Sequence, residues 1–433
     1  MRPTVTSPAY HGRMMPFRFL AAAFAACLLA ACATSPALPA SSAADGPPTL
    51  LLISLDGVRP DMLGQGHTPH IDRLAREGVR AAWMRPSYPA LTFPNHYTLV
   101  TGMRPDRHGL VHNVMQDEAL GRFALKDRDA VSDGRWWGGE PIWVSAERAG
   151  LPTATLFWPG SEADVQGVRP TRWRPFDDSL PHETRVAEVL GWLSEPASTR
   201  PRLATLYFEH PDFAGHHYGP DSPELHAALA QVDAALGTLF DGLRARGLED
   251  RVDILVVSDH GMAEVPPGQA IAVEDMADPA LAEVVSAGQV IGFRPRPGRE
   301  AEAEAALLGA HAQYDCWRKG ELPARWHYGT HPRVPPIVCQ MHLGWDAVPR
   351  QALAQRPARM RGSHGYDPDL PQMRAIFIAR GPSFRRGATL PGFDNVDVYP
   401  LLARLLGIAP QPHDGDVRTL LPALREQGTA TRP

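Results

Sequence analysis

Three predominantly apolar runs, each followed by an acidic residue, constrain the fold of this chain more than any other feature. The runs are Leu50–Leu55, Leu203–Phe208 and Val252–Ser258. Runs of this kind are typical of strands that are buried on both faces of a parallel sheet. Asp56, Asp212 and Asp259 follow them, and α/β proteins bind ligands at the carboxyl ends of such strands. The sequence therefore predicts an α/β fold with a largely parallel central sheet and a polar site at one edge.

Thr92 lies in a segment that predicts a reactive hydroxyl. The segment Pro89–His96 is interpreted as a loop that enters a short helix ending at Gly102. Pro94 suits the first turn of a helix, so Thr92 is expected at or just before the N-cap. Unpaired N–H groups and the positive helix end at that position could hold an alkoxide or a phosphate oxygen. The alternative is an ordinary threonine cap.

Three histidines accompany the acidic residues. His216 follows Asp212 in a loop-like segment, His260 follows Asp259 directly, and His364 lies on a glycine-flanked loop. Carboxylates and imidazoles are suitable ligands for zinc. Three of each are enough for two metal ions, and two metals roughly 3.5–4 Å apart can clamp the attacking and leaving oxygens of an in-line displacement. The sequence therefore predicts a two-zinc site beside the threonine.

Five motifs together resemble those of a known family. They are LISLDG at 52–57, TFPNH at 92–96, PDFAGHHYGP at 211–220, SDHGM at 258–262 and GSHGY at 362–366. In this order they resemble the nucleotide pyrophosphatase/phosphodiesterase family of the alkaline phosphatase superfamily, over about residues 48–425. The resemblance implies an alkaline-phosphatase-like, three-layer α/β/α core.

The same resemblance implies a role for each matching residue. One zinc would be held by Asp212, His216 and His364, and the other by Asp56, Asp259 and His260. Thr92 would approach the second zinc as the nucleophile. Asn113, which by residue type alone is an ordinary loop amide, would help to bind a non-bridging phosphate oxygen. Attack of the threonine on phosphorus would give a phosphothreonine, and water would then release a phosphate monoester.

Aromatic residues near these motifs indicate a nucleotide substrate. Phe93 follows the nucleophile and could stack on a base, with Tyr207 and Phe176 as the opposite wall. Phe176 stands where the resemblance leads us to expect a tyrosine, and Tyr207 has an alternative role as a strand-packing residue. The predicted function is cleavage of nucleotide phosphodiester or pyrophosphate bonds to nucleoside monophosphates.

Two other functions remain open from the sequence. The same metal ligands with a different pocket would cleave a lipid head-group diester or a phosphonate. The chain could also be a zinc-containing envelope protein without turnover, although the complete ligand set argues against it. The net charge of −5 gives no support for a basic nucleic-acid surface, so small nucleotides are the expected partners.

Residues 1–32 predict an export signal. Three arginines and no acidic residue precede the apolar run Phe19–Ala31, which is short for a membrane span. Cys32 follows Leu-Ala-Ala as in a lipobox, which favours a periplasmic protein with a lipid anchor. Cleavage near Ala40 is the alternative and would give a soluble periplasmic protein. Residues 33–47, rich in proline and small residues, are expected to form a tether.

The rest of the chain is expected to form an interrupted core. Residues 48–264 and 361–425 would form its two parts, and residues 265–360 a small α+β insertion. Cys316 and Cys339 lie in the insertion. In an oxidising periplasm they could form a disulfide, and two buried thiols are the alternative.

Overall fold

A computed structural model describes residues 46–426 of the chain. The predicted export signal and nearly all of the predicted tether lie outside these residues, so both stay predictions. Within residues 46–426, no helix combines the length and the apolar character needed to cross a membrane.

The strands of the described residues are short and the helices vary widely in length. In chain order the strands are β1 (Thr49–Leu55), β2 (Val79–Ala81), β3 (Met84–Arg85), β4 (Val114–Asp117), β5 (Gly121–Ala124), β6 (Thr153–Leu156), β7 (Arg172–Arg174), β8 (Leu203–Phe208), β9 (Val252–Val257), β10 (Ala263–Val265), β11 (Ala270–Ala272), β12 (Ala282–Ser286), β13 (Val290–Pro295), β14 (Gly309–Ala310), β15 (Tyr314–Arg318), β16 (Ile337–Met341), β17 (Asp346–Val348), β18 (Arg361–Ser363), β19 (Phe377–Arg380), β20 (Ala388–Leu390) and β21 (Phe393–Asp394). The α-helices are α1 (Pro69–Glu77), α2 (Thr92–Thr101), α3 (Pro105–His108), α4 (Arg128–Ser132), α5 (Ile142–Arg148), α6 (His182–Leu193), α7 (His210–Tyr218), α8 (Pro223–Ala245), α9 (Glu300–Leu307), α10 (Arg350–Ala354) and α11 (Val398–Leu406).

Eight strands form the central sheet, in the order β20-β2-β19-β9-β1-β8-β6-β7. The three apolar runs noted in the sequence are its central strands, and β1 pairs in parallel with both β8 and β9. Strand β19 is antiparallel to its neighbours β2 and β9, so the sheet is mixed although most of its pairs are parallel. The predicted α/β fold with a central sheet is confirmed.

Strand β1 is buried on both faces, and its alternate residues enter two different cores. Leu50 and Leu52 pack in a cluster with residues of α2, α5 and α11. Leu51 and Ile53 pack in a second cluster with residues of α1, α6 and α8. Because the two clusters lie on opposite faces of the pleated strand, helices cover the sheet on both sides. This is the three-layer α/β/α arrangement expected of an alkaline-phosphatase-like fold.

The chain segment between the two predicted parts of the core contributes a second, five-stranded sheet. Its order is β12-β13-β16-β15-β14, and all its pairs are antiparallel. Cys316 and Cys339 are directly opposite each other on β15 and β16 and form a disulfide. Strands β10 and β18, which flank this segment in the chain, pair with each other. The boundaries of the insertion at 265 and 360 stay a prediction.

Candidate active site

The carboxyl ends of β9, β1 and β8 bring the three candidate carboxylates together. Asp56 follows β1 directly, and Asp259 lies two residues beyond the end of β9. The backbone N–H of Gly57 donates to Oδ1 of Asp259 at 3.3 Å. Gly57 has φ +70°, and a Cβ at this position would lie 3.1 Å from Oδ1 of Asp212. The turn after β1 therefore needs a glycine, because any side chain would enter the space of a candidate ligand.

Asp212 and His216 lie on helix α7, whereas the sequence predicts a loop for this segment. Pro211 is at the start of this helix, where proline is well tolerated, and Gly219 is its C-cap. Residues four apart share one face of a helix, and Nε2 of His216 lies 3.4 Å from Oδ2 of Asp212. The prediction of a loop was wrong, but the helix brings the pair together as the metal hypothesis requires.

The three candidate histidine ligands are oriented in the same way. Each Nδ1 is hydrogen-bonded to a backbone carbonyl: His216 to Gly362 at 3.0 Å, His260 to Gly261 at 2.9 Å and His364 to Ala90 at 2.9 Å. In each ring this leaves Nε2 as the nitrogen directed at the carboxylates. Metal-binding histidines are usually fixed by such a bond from the second ring nitrogen.

The carboxylates present oxygens that lack ordinary partners within residues 46–426. Oδ1 of Asp56, Oδ1 of Asp212 and Oδ2 of Asp259 are buried without a hydrogen bond. Each instead faces a histidine Nε2, at 3.5 Å for Asp56 to His260, 3.5 Å for Asp212 to His364 and 2.9 Å for Asp259 to His260. Lone pairs that face each other across such short distances fit a cation bound between them, so the residues present suit a metal ion.

The electrostatics of the cluster support the same conclusion. Burial raises the pKa of Asp56 well above its ordinary value, and the charges of Asp259 and Asp212 add to this effect. Burial acts on Asp259 in the same direction, but His260 and His96 outweigh it and hold that pKa well below its usual range. Crowded acidic groups of this kind are stabilised when a cation compensates their charge.

The structure groups the ligand atoms slightly differently from the predicted two sets. Ligand atoms of Asp212, His260 and His364 lie within 4.8 Å of one another, and so do those of Asp56, His96 and Asp259. His260 therefore contacts both halves of the cluster, and the division of the six residues between two ions stays a prediction.

Thr92 is the first residue of α2, and Leu91 before it is the N-cap. The sequence predicted Thr92 at or just before the N-cap, so the observed position is one residue further into the helix. Oγ1 of Thr92 lies 3.3 Å from Nε2 of His260, which places the hydroxyl beside the carboxylate–imidazole cluster. Asn113 lies next to it, and Oδ1 of its amide accepts a hydrogen bond from the Phe93 N–H at 3.0 Å. The amide nitrogen of Asn113 is then the group that can donate to a ligand.

The three candidate substrate-binding aromatics occupy two separate groups of rings. Phe93 packs against Phe123 and Trp137, each with a centroid distance of 5.9 Å. Phe176 lies beyond the end of β7 and contacts Tyr207 at 6.1 Å. Tyr207 is only 6% exposed, and its hydroxyl donates to Oδ2 of Asp56 at 2.5 Å. Tyr207 thus has two contacts: its hydroxyl orients a candidate metal ligand, and its ring packs against Phe176.

Sequence reasoning missed His96, which is fully buried inside the cluster. Its Nδ1 lies 2.9 Å from the Thr92 carbonyl and 3.2 Å from Oδ2 of Asp259, and its Nε2 lies 2.8 Å from Oγ of Ser54. The available signal was its position four residues after Thr92, which places both on one face of α2.

Known proteins resemble this chain over most of its length. The model of the family "type I phosphodiesterase / nucleotide pyrophosphatase" matches residues 50–367. An uncharacterized pyrophosphatase/phosphodiesterase of Schizosaccharomyces pombe is 36% identical over 400 residues, covering 88% of this chain and 81% of that protein. Human ectonucleotide pyrophosphatase/phosphodiesterase family member 5 is 33% identical over 369 residues, covering 84% and 76%. Rat family member 3 is 36% identical, but the chain spans only 45% of its length.

The solved structures give the same result. Murine ectonucleotide pyrophosphatase/phosphodiesterase 5, as an inactive threonine-to-alanine variant in complex with AMP, superposes with a TM-score of 0.82 at 33% identity. The match covers 88% of this chain and 100% of that chain. Similarity in sequence and fold over most of the chain shows that this protein belongs to the type I phosphodiesterase/nucleotide pyrophosphatase family and is an enzyme of that family.

Proposed function

We propose that this protein is a two-zinc phosphodiesterase that cleaves nucleotide phosphodiester or pyrophosphate bonds and releases nucleoside monophosphates. The observation that carries the proposal is the cluster of three carboxylates and three imidazoles beside the Thr92 hydroxyl, 3.3 Å from His260. The ligands would be Asp212, His216 and His364 for one ion, and Asp56, Asp259 and His260 for the other. Zinc, when bound, would supply a Lewis acid for the phosphoryl oxygens and favour the deprotonated hydroxyl.

The chain's own residues then define the steps. Oγ1 of Thr92 forms a bond to phosphorus while the bond to the leaving oxygen breaks, which gives a phosphothreonine. The amide nitrogen of Asn113 donates to a non-bridging oxygen, since its Oδ1 is occupied by the Phe93 N–H. Removing one such donor typically lowers kcat by about 10²–10³-fold. Water next attacks phosphorus while the bond to Oγ1 breaks, a proton from this water passes to Oγ1, and the nucleoside monophosphate leaves.

The nucleotide would be held on the side of the nucleophile. Phe93 is partly exposed and is fixed from behind by Phe123 and Trp137, so it can offer a ring face to a base. Phe176, also partly exposed, would form the facing wall, with Tyr207 beneath it. The AMP complex of the murine relative supports this substrate class.

Substrate choice can be tested with three nitrophenyl compounds at equal zinc. We expect purified protein to hydrolyse the nitrophenyl ester of TMP much faster than nitrophenyl phosphate or nitrophenyl phosphocholine. Preference for the phosphocholine would retain the metal site and reject the nucleotide pocket. Absence of turnover of all three would reject the enzyme mechanism.

The nucleophile is tested by Thr92→Ala and Thr92→Ser. We expect Thr92→Ala to lower kcat by roughly 10⁴–10⁶-fold, the scale found when a covalent nucleophile is removed. Thr92→Ser keeps a hydroxyl and should retain measurable turnover with trapping of a phosphorylated residue. Thr238→Ala, on the exposed face of α8, is the matched control and should not change kcat. Full activity of Thr92→Ala with zinc still bound would refute the mechanism.

The metal assignment needs its own measurement, because donor type alone does not distinguish zinc from other divalent ions. We expect elemental analysis to find two zinc ions per chain. Chelation should abolish turnover, and added zinc should restore it. Turnover by protein verified to contain no metal would contradict the proposal.

We further infer that the protein is exported to the periplasm. The disulfide between Cys316 and Cys339 supports this, since such bonds persist mainly in oxidising compartments. Cell fractionation of the wild type and of Cys32→Ser would test the lipid anchor. We expect the wild type in the membrane fraction and the variant, which lacks the cysteine that carries the lipid, in the soluble fraction.

A further inference from the structure

Helix α7 presents an exposed aromatic stripe beside the candidate metal ligands. Phe213, the residue after Asp212, is 62% exposed, more than any other large hydrophobic side chain in residues 46–426. The ring of His217 lies against it with a centroid distance of 4.2 Å and an interplanar angle of 31°. A hydrogen bond of 2.9 Å between Nδ1 of His217 and the Phe213 carbonyl holds the imidazole in this position. The two rings form a fixed surface, which we name the aromatic shelf.

The periodicity of α7 places this shelf at the lip of the site. Successive helical residues are rotated by about 100°, so Asp212 and His216 share one stripe and Phe213 and His217 share the next. Ala214 and Gly215 are buried and mark the core side of the helix. The shelf is therefore next to the metal-ligand stripe, on the side away from the core.

The metal cluster opens to solvent along the same helix. The side chains of Asp56, Asp259 and His260 are at most 2% exposed, and that of His364 is 5% exposed. By contrast, the side chain of Asp212 is 17% exposed and that of His216 is 31% exposed. The half of the site built by Asp212, His216 and His364 therefore has its exposed border on α7.

We propose that the aromatic shelf binds the base of the leaving group when the substrate carries a nucleoside on both sides of the cleaved bond. The inference rests on the proposed function, in which Thr92 attacks from one side and the leaving oxygen departs in line on the other. The base retained by the enzyme occupies the pocket near Phe93, so the shelf is a separate subsite. A flat π-face suits a purine or a nicotinamide without selecting its hydrogen-bonding groups.

Two substrates that differ only in the second base test the shelf. Diadenosine diphosphate and ADP-ribose share the adenylate half, the pyrophosphate and the second ribose, and only the former has a second purine. We expect Phe213→Ala to lower kcat/KM for diadenosine diphosphate by about 5- to 150-fold, the range for loss of one stacked base. For ADP-ribose the change should stay below about twofold. Phe213→Trp should retain the preference for the substrate with two bases.

Tyr218→Ala is the matched control. Tyr218 is also an exposed aromatic residue of α7, but it lies on another side of the helix under the guanidinium of Arg359, 4.7 Å from the ring centre. Tyr218→Ala should change kcat/KM for neither substrate. Equal changes with both substrates in Phe213→Ala, or no change with either, would overturn the shelf while leaving the proposed function intact. If the wild-type protein hydrolyses neither substrate, both the proposed function and the proposed role of the shelf are overturned.

Discussion

Replacement of Arg185 by methionine should destabilise the protein strongly. Arg185 is fully buried and binds Glu209 through two bonds, of 2.6 and 2.9 Å. It also donates to the carbonyl oxygens of Tyr207 at 3.1 Å and Leu180 at 2.9 Å. Glu209 immediately precedes α7, so this ion pair fixes the start of the helix that carries Asp212 and His216.

Two estimates of the cost agree. Removing one partner of a buried ion pair typically costs about 3–5 kcal/mol, because the other charge is left unpaired. Independently, the pKa of Glu209 is lowered from 4.5 to about 2: burial opposes the change, and the hydrogen bonds and charge of Arg185, together with a hydrogen bond from His210, outweigh it. A change of this size corresponds to about 3 kcal/mol for all these partners together, of which Arg185 contributes most, since each tenfold change in proton affinity is worth about 1.4 kcal/mol.

Thermal unfolding should report this loss. An unfolding entropy of about 2.1 cal/mol/K per residue over roughly 380 residues gives about 0.8 kcal/mol/K, so Tm should fall by about 4–6 °C. Arg174→Met is the matched control: Arg174 pairs with Glu188 at the surface, where its side chain is 46% exposed, and the cost should stay below about 1 kcal/mol. The double variant Arg185→Met with Glu209→Met should recover much of the loss, because it leaves no buried charge.

The pH dependence of the stability difference between wild type and Arg185→Met provides the measurement that could refute this reasoning. The folded pKa of Glu209 is depressed, so its contribution is complete above about pH 4.5 and is lost as the pH falls toward 2. His210 also faces this carboxylate, with Nδ1 3.2 Å from Oε1. The stability difference between wild type and Arg185→Met should therefore be large at pH 7 and shrink below pH 4.5. A difference that is below 1 kcal/mol at pH 7, or that grows on acidification, would refute the reasoning.

Three further substitutions follow from the contacts described. Tyr207→Phe removes the bond to Asp56 and should weaken zinc affinity by about 10–100-fold in a competition titration, and unchanged affinity would contradict this role. Replacing Cys316 and Cys339 together by serine should lower stability by about 2–4 kcal/mol in urea unfolding while kcat is retained, and a matching loss of kcat would show coupling to the site. Gly57→Ala should reduce both stability and zinc content, because its φ is +70° and the added methyl would lie 3.1 Å from Oδ1 of the candidate ligand Asp212, and normal zinc content would contradict this.

The sequence predicted that the site lies at the carboxyl ends of the central strands, because the residue patterns that indicate this position are short and local. An apolar run followed by Asp56 or Asp259 reports both a buried strand and its end, and parallel pairing then brings the ends together. Pro94 and the short helix similarly placed Thr92 at the start of α2 to within one residue. These inferences needed no information about distant contacts.

Other features depend on contacts that a local pattern does not encode. The segment around Asp212 is bounded by proline and glycine, which favoured a loop, although the same residues serve as the start and the cap of α7. The direction of β19 follows from the chain entering it after β18 and His364, which lie at the edge where the parallel strands end. The role of His96 depends on Ser54 and Asp259, which are far away in the sequence.

The pairing of β10 with β18 also bears on how this family can diversify. Ala263 lies opposite Ser363, and neighbouring strands are about 4.8 Å apart, so the chain leaves and re-enters the core at almost the same point. His260 lies three residues before β10 and His364 directly follows β18, so this pairing brings together the two imidazoles, whose rings stack at 3.6 Å. We therefore expect insertions, deletions and new surface modules to accumulate between these strands during evolution while the spacing of the candidate metal ligands is inherited unchanged.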